Sequence, residues 1–195
     1  MLLVISAPSG AGKTTLCHKL LKECDNIVRS VSCTTRARRG REVDGKDYYF
    51  VTEAEFAERL KRNEFLEHAV VHGRHYGTLR KTVETALKAG KDILLAIDVQ
   101  GAGEIRRQVA AAKTGLLARS FVDIFIVPPS MEVLKARLVG RNEDSAAEIK
   151  RRLKIAAEEM KSAPDYMHCL VNDDLDRAFN ELRAIIAVER KRVSS

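Results

Sequence analysis

Apolar positions along the chain follow two periods, one typical of strands and one typical of helices. Residues 2–5 and 93–97 are apolar runs, as expected for parallel strands that are buried on both faces. Residues 27–32 and 65–72 alternate between apolar and polar positions, which indicates half-buried strands. Further strands are predicted at residues 47–51, 120–127 and 169–172.

Helices are predicted between these strands, and several begin at a capping pattern. Thr52 with Glu55 and Ser145 with Glu148 have the spacing of a capping box, and Ser130 is a suitable N-cap after two prolines. A further helix is predicted from Thr78 to a C-cap at Gly90, and the last helix from Leu175 onwards. Alternating strands and helices predict an α/β fold with a parallel sheet and helices on both faces.

The first strand leads into a glycine-containing stretch, residues 7–14, with the sequence Ala-Pro-Ser-Gly-Ala-Gly-Lys-Thr. Strand, small-residue loop and helix are the context of a phosphate-binding loop, in which backbone N–H groups converge on phosphate oxygens. Lys13 would reach the β- and γ-phosphates, and the Thr14 hydroxyl would ligate Mg²⁺. Ala7 stands where the first glycine of the pattern is expected, which is compatible with the loop if its dihedral angles are ordinary.

Two further groups of charged residues favour a second phosphate site and a lid. Four arginines lie within residues 36–41, in a segment, residues 33–42, that is predicted as a surface loop. Their charges repel one another unless an anion lies between them; a solvated basic loop is the alternative. A basic helix–loop–helix follows later, where a lid could close over a polyanion; its arginines are Arg137, Arg141, Arg151 and Arg152.

Two acids occupy positions that suggest ligand contacts. Glu67 falls on the apolar face of a predicted strand, where a carboxylate is costly unless donors meet it. Asp98 ends the buried run 93–97, the place where phosphate-loop proteins position Mg²⁺ or its waters. A carboxylate can accept the adjacent N1–H and N2 amino hydrogens of guanine, whereas adenine presents an unprotonated N1.

Composition limits the function classes. The 195 residues suffice for one α/β core with a small insertion, and no apolar run approaches the roughly 20 residues of a membrane span. The apolar N-terminus has no basic leader, so we expect a cytoplasmic protein. Much of the net charge of +7 lies in short arginine clusters beside the motifs, which polyanionic small substrates explain at least as well as nucleic acid does. Together the motifs predict transfer of the γ-phosphoryl group of ATP to a phosphorylated acceptor.

Ordered motifs along nearly the whole chain resemble the guanylate kinase family. They are Ser-x-Thr-Thr-Arg from Ser32, Asp-Tyr-x-Phe from Asp47, Phe-Leu-Glu ending at Glu67, Tyr-Gly-Thr from Tyr76, Ile-Asp-Val-Gln-Gly from Ile97, Pro-Pro-Ser ending at Ser130, and Val-Asn-Asp-Asp from Val171. The resemblance implies the reaction of ATP and GMP to ADP and GDP. It also implies a core (residues 1–32, 79–127 and 160–195), a small β-containing GMP-binding insertion (about 33–78) and a helical lid (about 128–159).

The resemblance also implies roles for individual residues. Those expected to bind ATP are Ser9, Gly10, Ala11, Gly12, Lys13, Thr14 and Thr15, with Asn172 at adenine. Those expected to bind the GMP phosphate are Arg36, Arg39, Tyr48 and Tyr76, and those expected at guanine are Ser32, Glu67, Thr78 and Asp98. Those expected to act on the transferring phosphates are Lys13, Arg137, Arg141 and Arg152.

Three departures from the family pattern bear on these expectations. Arg38 replaces a usual proline, and Gly40-Arg41 inverts the usual order of a small residue and glycine. Ala96 replaces an acid that often anchors magnesium through water. For Asp98 we favour guanine contact, with a water-mediated magnesium role as the alternative.

Three other functions fit the residues less well than a guanylate kinase does. Interaction modules with a guanylate-kinase-like fold typically lose the phosphate-loop lysine, which is present here as Lys13. A kinase for a phosphorylated sugar would not use Ser32, Glu67 and Thr78 around a purine. Nucleic-acid binding rests on net charge alone.

Overall fold

A computed structural model describes residues 1–71, 73–112, 114–140 and 145–194. The strands are β1 (Leu2–Ser6), β2 (Ile27–Arg29), β3 (Cys33–Thr34), β4 (Tyr49–Phe50), β5 (Phe65–Val71), β6 (Arg74–Leu79), β7 (Asp92–Ala96), β8 (Phe121–Val127) and β9 (His168–Val171). The helices are α1 (Lys13–Glu23), α2 (Glu53–Lys61), α3 (Arg80–Lys88), α4 (Val99–Ala112), α5 (Leu116–Ser120), α6 (Met131–Val139), α7 (Ala146–Met160) and α8 (Leu175–Ser194). A 3-10 turn spans Ala163–Asp165.

The strands form two sheets, with the orders β2-β7-β1-β8-β9 and β4-β3-β6-β5. Strand β2 pairs in parallel with β7, and β8 pairs in parallel with β9. This parallel sheet flanked by helices confirms the predicted fold class. The structure also divides into two compact units, which are described separately. The predicted division into core, insertion and lid stays a prediction.

The first unit comprises Met1–Leu2, Asn26–Leu95 and Gln100–Phe121. It contains the β2–β7 pair and the four-stranded sheet, in which β6 pairs antiparallel with both β3 and β5. The buried side chains of Cys33, Phe56 and Phe65 form an apolar cluster against this sheet. The β5–β6 register sets Glu67 directly opposite Thr78, so these side chains share one face.

The second unit comprises Leu3–Asp25, Ala96–Val99 and Val122–Ser195. Strands β1 and β8 are almost entirely buried, as their apolar runs predict. Helix α1 packs against α8, and α6 packs against α7. The α6–α7 contact is an apolar cluster of Leu134, Leu138 and Ala156, with partly buried neighbours around it.

The three predicted N-caps are present in the structure, but only one of the two predicted capping boxes is complete. At α2 the Thr52 hydroxyl accepts from the Glu55 N–H, and the Glu55 carboxylate accepts from the Thr52 N–H, which is a complete capping box. Ser130 accepts from the Val133 N–H at the start of α6. At α7, Ser145 accepts from the Glu148 N–H, while the Glu148 carboxylate pairs with neighbouring arginines rather than reaching back.

The structure differs from the predicted elements at four places. Strand β6 was not expected, because its sequence, Arg-His-Tyr-Gly-Thr-Leu, lacks an apolar period; pairing on both sides stabilises it as a strand. Thr78 therefore lies in β6, and helix α3 begins two residues later. Strand β3 occupies the first two residues of the predicted loop 33–42, and the short helix α5 was not predicted. Among the helices of the described ranges, none is both long and apolar enough to cross a membrane.

Candidate functional site

The phosphate loop of the second unit has the backbone geometry that the sequence predicts. Gly10 and Gly12 have φ angles of 93° and 97°, the left-handed region that glycine adopts without steric cost. Ala7 does not have a positive φ, so its replacement of the expected glycine causes no backbone strain. The Ala11 N–H donates to the Pro8 carbonyl at 3.1 Å, and α1 begins at Lys13 immediately after Gly12. The loop therefore ends at a helix N-terminus, where backbone N–H groups favour an anion.

Lys13 contacts the segment Ala96–Val99, which belongs to the same second unit. Its Nζ donates to the Ile97 carbonyl at 2.6 Å. Burial lowers the pKa of the Lys13 ammonium, and the nearby acidic groups of Cys17, Asp98 and Glu159 oppose this change. Burial of the Lys13 ammonium therefore has a desolvation cost, which the negative charge of a bound polyanion would offset.

Glu159, near the end of α7, was not singled out by the sequence. The Ser9 N–H donates to its carboxylate, and burial raises the pKa of this carboxyl while Lys13 opposes the increase. Its Oε2 atom is buried and has no hydrogen-bond partner in the described part of the chain. Nothing in the sequence distinguishes Glu159 from the exposed Glu158, because only the fold brings it to the phosphate loop.

The donor set beside the loop fits Mg²⁺ bound together with a nucleotide. Thr14 follows Lys13 at the start of α1 with an exposed side chain, and the acids Asp98 and Glu159 both lie close enough to Lys13 to affect its pKa. Within the described ranges, no cluster of three or more His, Cys, Asp or Glu side chains could hold a metal alone. Mg²⁺ usually keeps waters and takes few protein ligands beside substrate phosphates, so one hydroxyl with nearby acids is sufficient.

The predicted lid arginines have different environments. Arg137, on α6, donates from Nη2 to the Asn172 carbonyl at 2.8 Å. Arg152, on α7, donates from Nε to Glu148 at 3.4 Å. Arg151 and then Arg152 lower the pKa of the Glu148 carboxyl to about 2. Arg141 lies outside the described residues.

In the first unit, three predicted guanine contacts form one polar row. The Thr78 hydroxyl donates to Glu67 Oε1 at 2.6 Å, and Ser32 Oγ lies 3.4 Å from Thr78 Oγ1. Because the Thr78 proton is directed at Glu67, Ser32 is the donor in the second contact. Glu67 is 4% exposed and Thr78 is fully buried. Asp98, the fourth predicted guanine contact, belongs to the second unit.

The predicted phosphate-binding side chains of the first unit are also grouped. Arg36 lies over the Tyr48 ring at 5.4 Å from its centroid, and the Tyr48 and Tyr76 rings meet edge to face at 5.9 Å. Glu42 raises the pKa of Arg36, and the hydrogen bond that the Arg36 guanidinium donates to Tyr76 raises it further. Burial raises the pKa of the Tyr48 phenol. The Arg39 side chain is exposed.

Glu42 is the residue that the sequence argument missed in this group. Its carboxylate accepts from Nη1 and Nη2 of Arg36 at 2.9 and 2.7 Å, and from the Arg39 N–H at 2.8 Å. The Arg36 guanidinium lowers the pKa of the Glu42 carboxyl to about 2, with help from the Arg39 N–H. The cluster of arginines predicts an anion among them, and the acid six residues after Arg36 is the sequence signal for Glu42 in that position.

The fold and these groups of residues define a phosphate-loop nucleotide-binding protein of the α/β class. The family model for guanylate kinase matches residues 1–189. Guanylate kinase of Wolbachia pipientis wMel is 45% identical over 190 residues, which cover 97% of this chain and 90% of that protein. Guanylate kinase of Methylobacillus flagellatus is 47% identical over 191 residues, covering 98% of this chain and 90% of that protein.

A solved structure agrees with these relatives. The crystal structure of guanylate kinase from Anaplasma phagocytophilum superimposes with a TM-score of 0.76 at 38% identity, covering 97% of this chain and 85% of that one. The chain belongs to the guanylate kinase family, a family of phosphotransferase enzymes.

Proposed function

We propose that this enzyme transfers the γ-phosphoryl group of ATP to GMP, and to dGMP, giving ADP and the nucleoside diphosphate, in purine nucleotide recycling. The observation that carries the proposal is the polar row of buried Glu67 and Thr78 with partly buried Ser32, which supports recognition of guanine. Family membership supports the reaction type. The cytoplasmic location stays a prediction.

The acceptor base would be recognised by hydrogen bonds to the polar row. Glu67 accepts from N1–H and the N2 amino group of guanine, and Ser32 donates to O6. Thr78 also reaches O6 if its hydroxyl proton turns away from Glu67. A base without those donors would leave a buried carboxylate unpaired, and such selection can give discrimination of about 10⁴ or more. Asp98 is proposed as a second acceptor for the base.

The GMP phosphate would be bound by the arginine–tyrosine group, which consists of Arg36, Arg39, Tyr48 and Tyr76. A guanidinium can form a bidentate pair with a phosphate, as Arg36 does with the Glu42 carboxylate in this structure. The incoming phosphate would therefore share or replace Glu42 at Arg36. Arg39, whose side chain is exposed, can turn to the phosphate at little cost.

The phosphate loop would bind the ATP phosphates through its backbone N–H groups, and Asn172 would contact adenine. The proposed loop residues are Ser9, Gly10, Ala11, Gly12, Lys13, Thr14 and Thr15. Lys13 would neutralise charge on the transferring group, together with the lid arginines Arg137, Arg141 and Arg152. Mg²⁺, held by Thr14 and through water by Asp98 or Glu159, would supply further charge neutralisation.

A coupled assay of ADP release tests the proposal. With ATP and magnesium, we expect turnover with GMP and dGMP and little with AMP, CMP or UMP. Chelation of divalent ions stops the reaction. The absence of GMP-dependent ADP release would refute the proposed activity, and equal rates with AMP would refute the assignment of the polar row to guanine.

A further inference from the structure

Asn172 contacts the phosphate loop directly, although it lies far from the loop in sequence. Its side-chain Nδ2 donates to the Ala11 carbonyl oxygen at 2.7 Å, and both groups are buried. A carbonyl oxygen can only accept, so the amide nitrogen must face the loop. The Asn172 residue is 5% exposed, and its backbone N–H donates to the Val127 carbonyl at 2.8 Å.

The same side chain also limits what can occupy the next position of the loop. A Cβ atom on Gly12 would overlap the Asn172 amide nitrogen. Gly12 therefore has two independent requirements for glycine, its positive φ and the close approach of Asn172. A further hydrogen bond holds the Asn172 backbone, because the Arg137 guanidinium donates to the Asn172 carbonyl oxygen at 2.8 Å.

Peptide geometry turns this contact into a constraint on the nucleotide site. In a planar trans peptide, the C=O of one residue and the N–H of the next point in opposite directions. The bond from Asn172 fixes the Ala11 C=O, and the Gly12 N–H of the same peptide must point away from Asn172. An N–H group held in one direction costs no reorganisation when it meets a phosphate oxygen.

We propose that Asn172 is a positioning residue for the phosphate loop: it orients the peptide between Ala11 and Gly12 so that the Gly12 N–H is available to the polyphosphate of the donor. This role is separate from a contact with adenine. This inference rests on the proposed function in one respect: it assumes that the phosphate loop binds the polyphosphate of the donor.

Inorganic tripolyphosphate, which has no base, distinguishes the two roles. Calorimetry measures how tightly the wild-type chain and Asn172→Ala bind three ligands: magnesium tripolyphosphate, ATP and GMP. Each measurement gives a dissociation constant. We expect tripolyphosphate and ATP to bind about tenfold more weakly, by a similar factor, since one hydrogen bond is lost. GMP binding stays within twofold, because its proposed contacts other than Asp98 lie in the first unit.

Matched variants keep the test decisive. Asn180→Ala changes an exposed asparagine on α8 and should alter none of the three constants. If Asn172→Ala does not fold, Asn172→Leu keeps the approximate side-chain shape without the donor and should give the same result.

The outcomes separate the inference from the proposal on which it rests. Normal tripolyphosphate binding with weakened ATP binding would overturn the positioning role and leave adenine contact alone. An equal loss of GMP binding would overturn it in favour of general damage to the fold. If the wild-type chain does not bind tripolyphosphate, the proposed donor site itself fails.

Discussion

The guanidinium of Arg36 donates to both carboxylate oxygens of Glu42, at 2.9 Å from Nη1 and 2.7 Å from Nη2. The loop that carries four arginines in six positions thus contains its own counterion. Glu42 also accepts from the Arg39 N–H, so one carboxylate both balances charge and fixes the backbone turn. The arrangement therefore ties the Arg36 side chain and the Arg39 backbone to the same carboxylate.

This pair predicts a pH-dependent contribution to stability. The Glu42 pKa is lowered from 4.5 to about 2 in the folded protein. A lowered carboxyl pKa stabilises the fold above the unfolded value and loses that contribution as the pH falls through about 2. Glu42→Gln should therefore lower the free energy of unfolding by about 1 kcal/mol or less at pH 7, since the pair is partly exposed.

Urea unfolding of both proteins at pH 7, 4 and 2 measures this difference. The difference in the free energy of unfolding between Glu42→Gln and wild type should shrink between pH 4.5 and pH 2. Glu58→Gln, at an exposed position on α2, serves as the control. A difference between Glu42→Gln and wild type that is the same at pH 7 and pH 2 would contradict the ion-pair explanation.

Glu67→Gln should weaken GMP binding by about 10- to 100-fold and leave ATP nearly unaffected. The glutamine oxygen can still accept from Thr78, but its amino group meets guanine donors with another donor. Steady-state KM values for GMP and ATP check this, with Glu58→Gln as a carboxylate-to-amide control on the same unit. Equal changes in both KM values would mean that Glu67 does not recognise the base.

Lys13→Ala should lower kcat by at least about 10²–10³-fold while the protein stays folded. Burial disfavours the Lys13 charge, whereas the Ile97 carbonyl and Glu159 favour it, so the melting temperature should change little. Lys19→Ala, on the same helix with a more exposed ammonium, should retain activity. A near-normal kcat for Lys13→Ala would refute its role in phosphoryl transfer.

Features that depend on local sequence were predictable. The phosphate loop needs only a buried strand, small residues and a helix start, and all three lie within residues 2–23. Buried runs such as β7 and β8 are recognisable because apolar residues fill both faces. Glu67 was recognisable because an acid interrupts an apolar face.

Features that depend on distant pairing were not predictable from local patterns. Strand β6 is polar, and it is a strand because β3 and β5 lie on either side. The contacts of Asn172 with Ala11 and of Glu159 with the Ser9 N–H join segments about 150 residues apart or more. No local pattern of apolar and polar residues predicts such a contact. Only the folded structure shows that Asn172 and Glu159 lie beside the phosphate loop.

Gly77→Ala should destabilise the four-stranded sheet through side-chain crowding rather than through backbone strain. Gly77 does not have a positive φ, but a Cβ there would lie 2.7 Å from Phe65 Cδ1 and 3.1 Å from Phe56 Cζ. The two phenyl rings are stacked with centroids 4.4 Å apart, so neither has room to withdraw. Overpacking of this kind costs about 1–3 kcal/mol.

Because Gly77 lies between Tyr76 and Thr78, its displacement should also raise KM for GMP more than KM for ATP. Thermal unfolding and steady-state kinetics measure the two effects. Gly103→Ala is the matched control: its Cβ would have its nearest neighbour at 3.9 Å, and in the interior of α4 the change should be neutral or stabilising.

The crowding explanation also predicts a rescue. Phe65→Leu removes part of the ring that the new methyl group would meet, so in the Gly77→Ala background it should restore part of the lost stability. In the wild-type background the same Phe65→Leu change should only destabilise, because it leaves a cavity beside Phe56. Additive losses in the double variant would show that the methyl group and the ring do not compete for the same space.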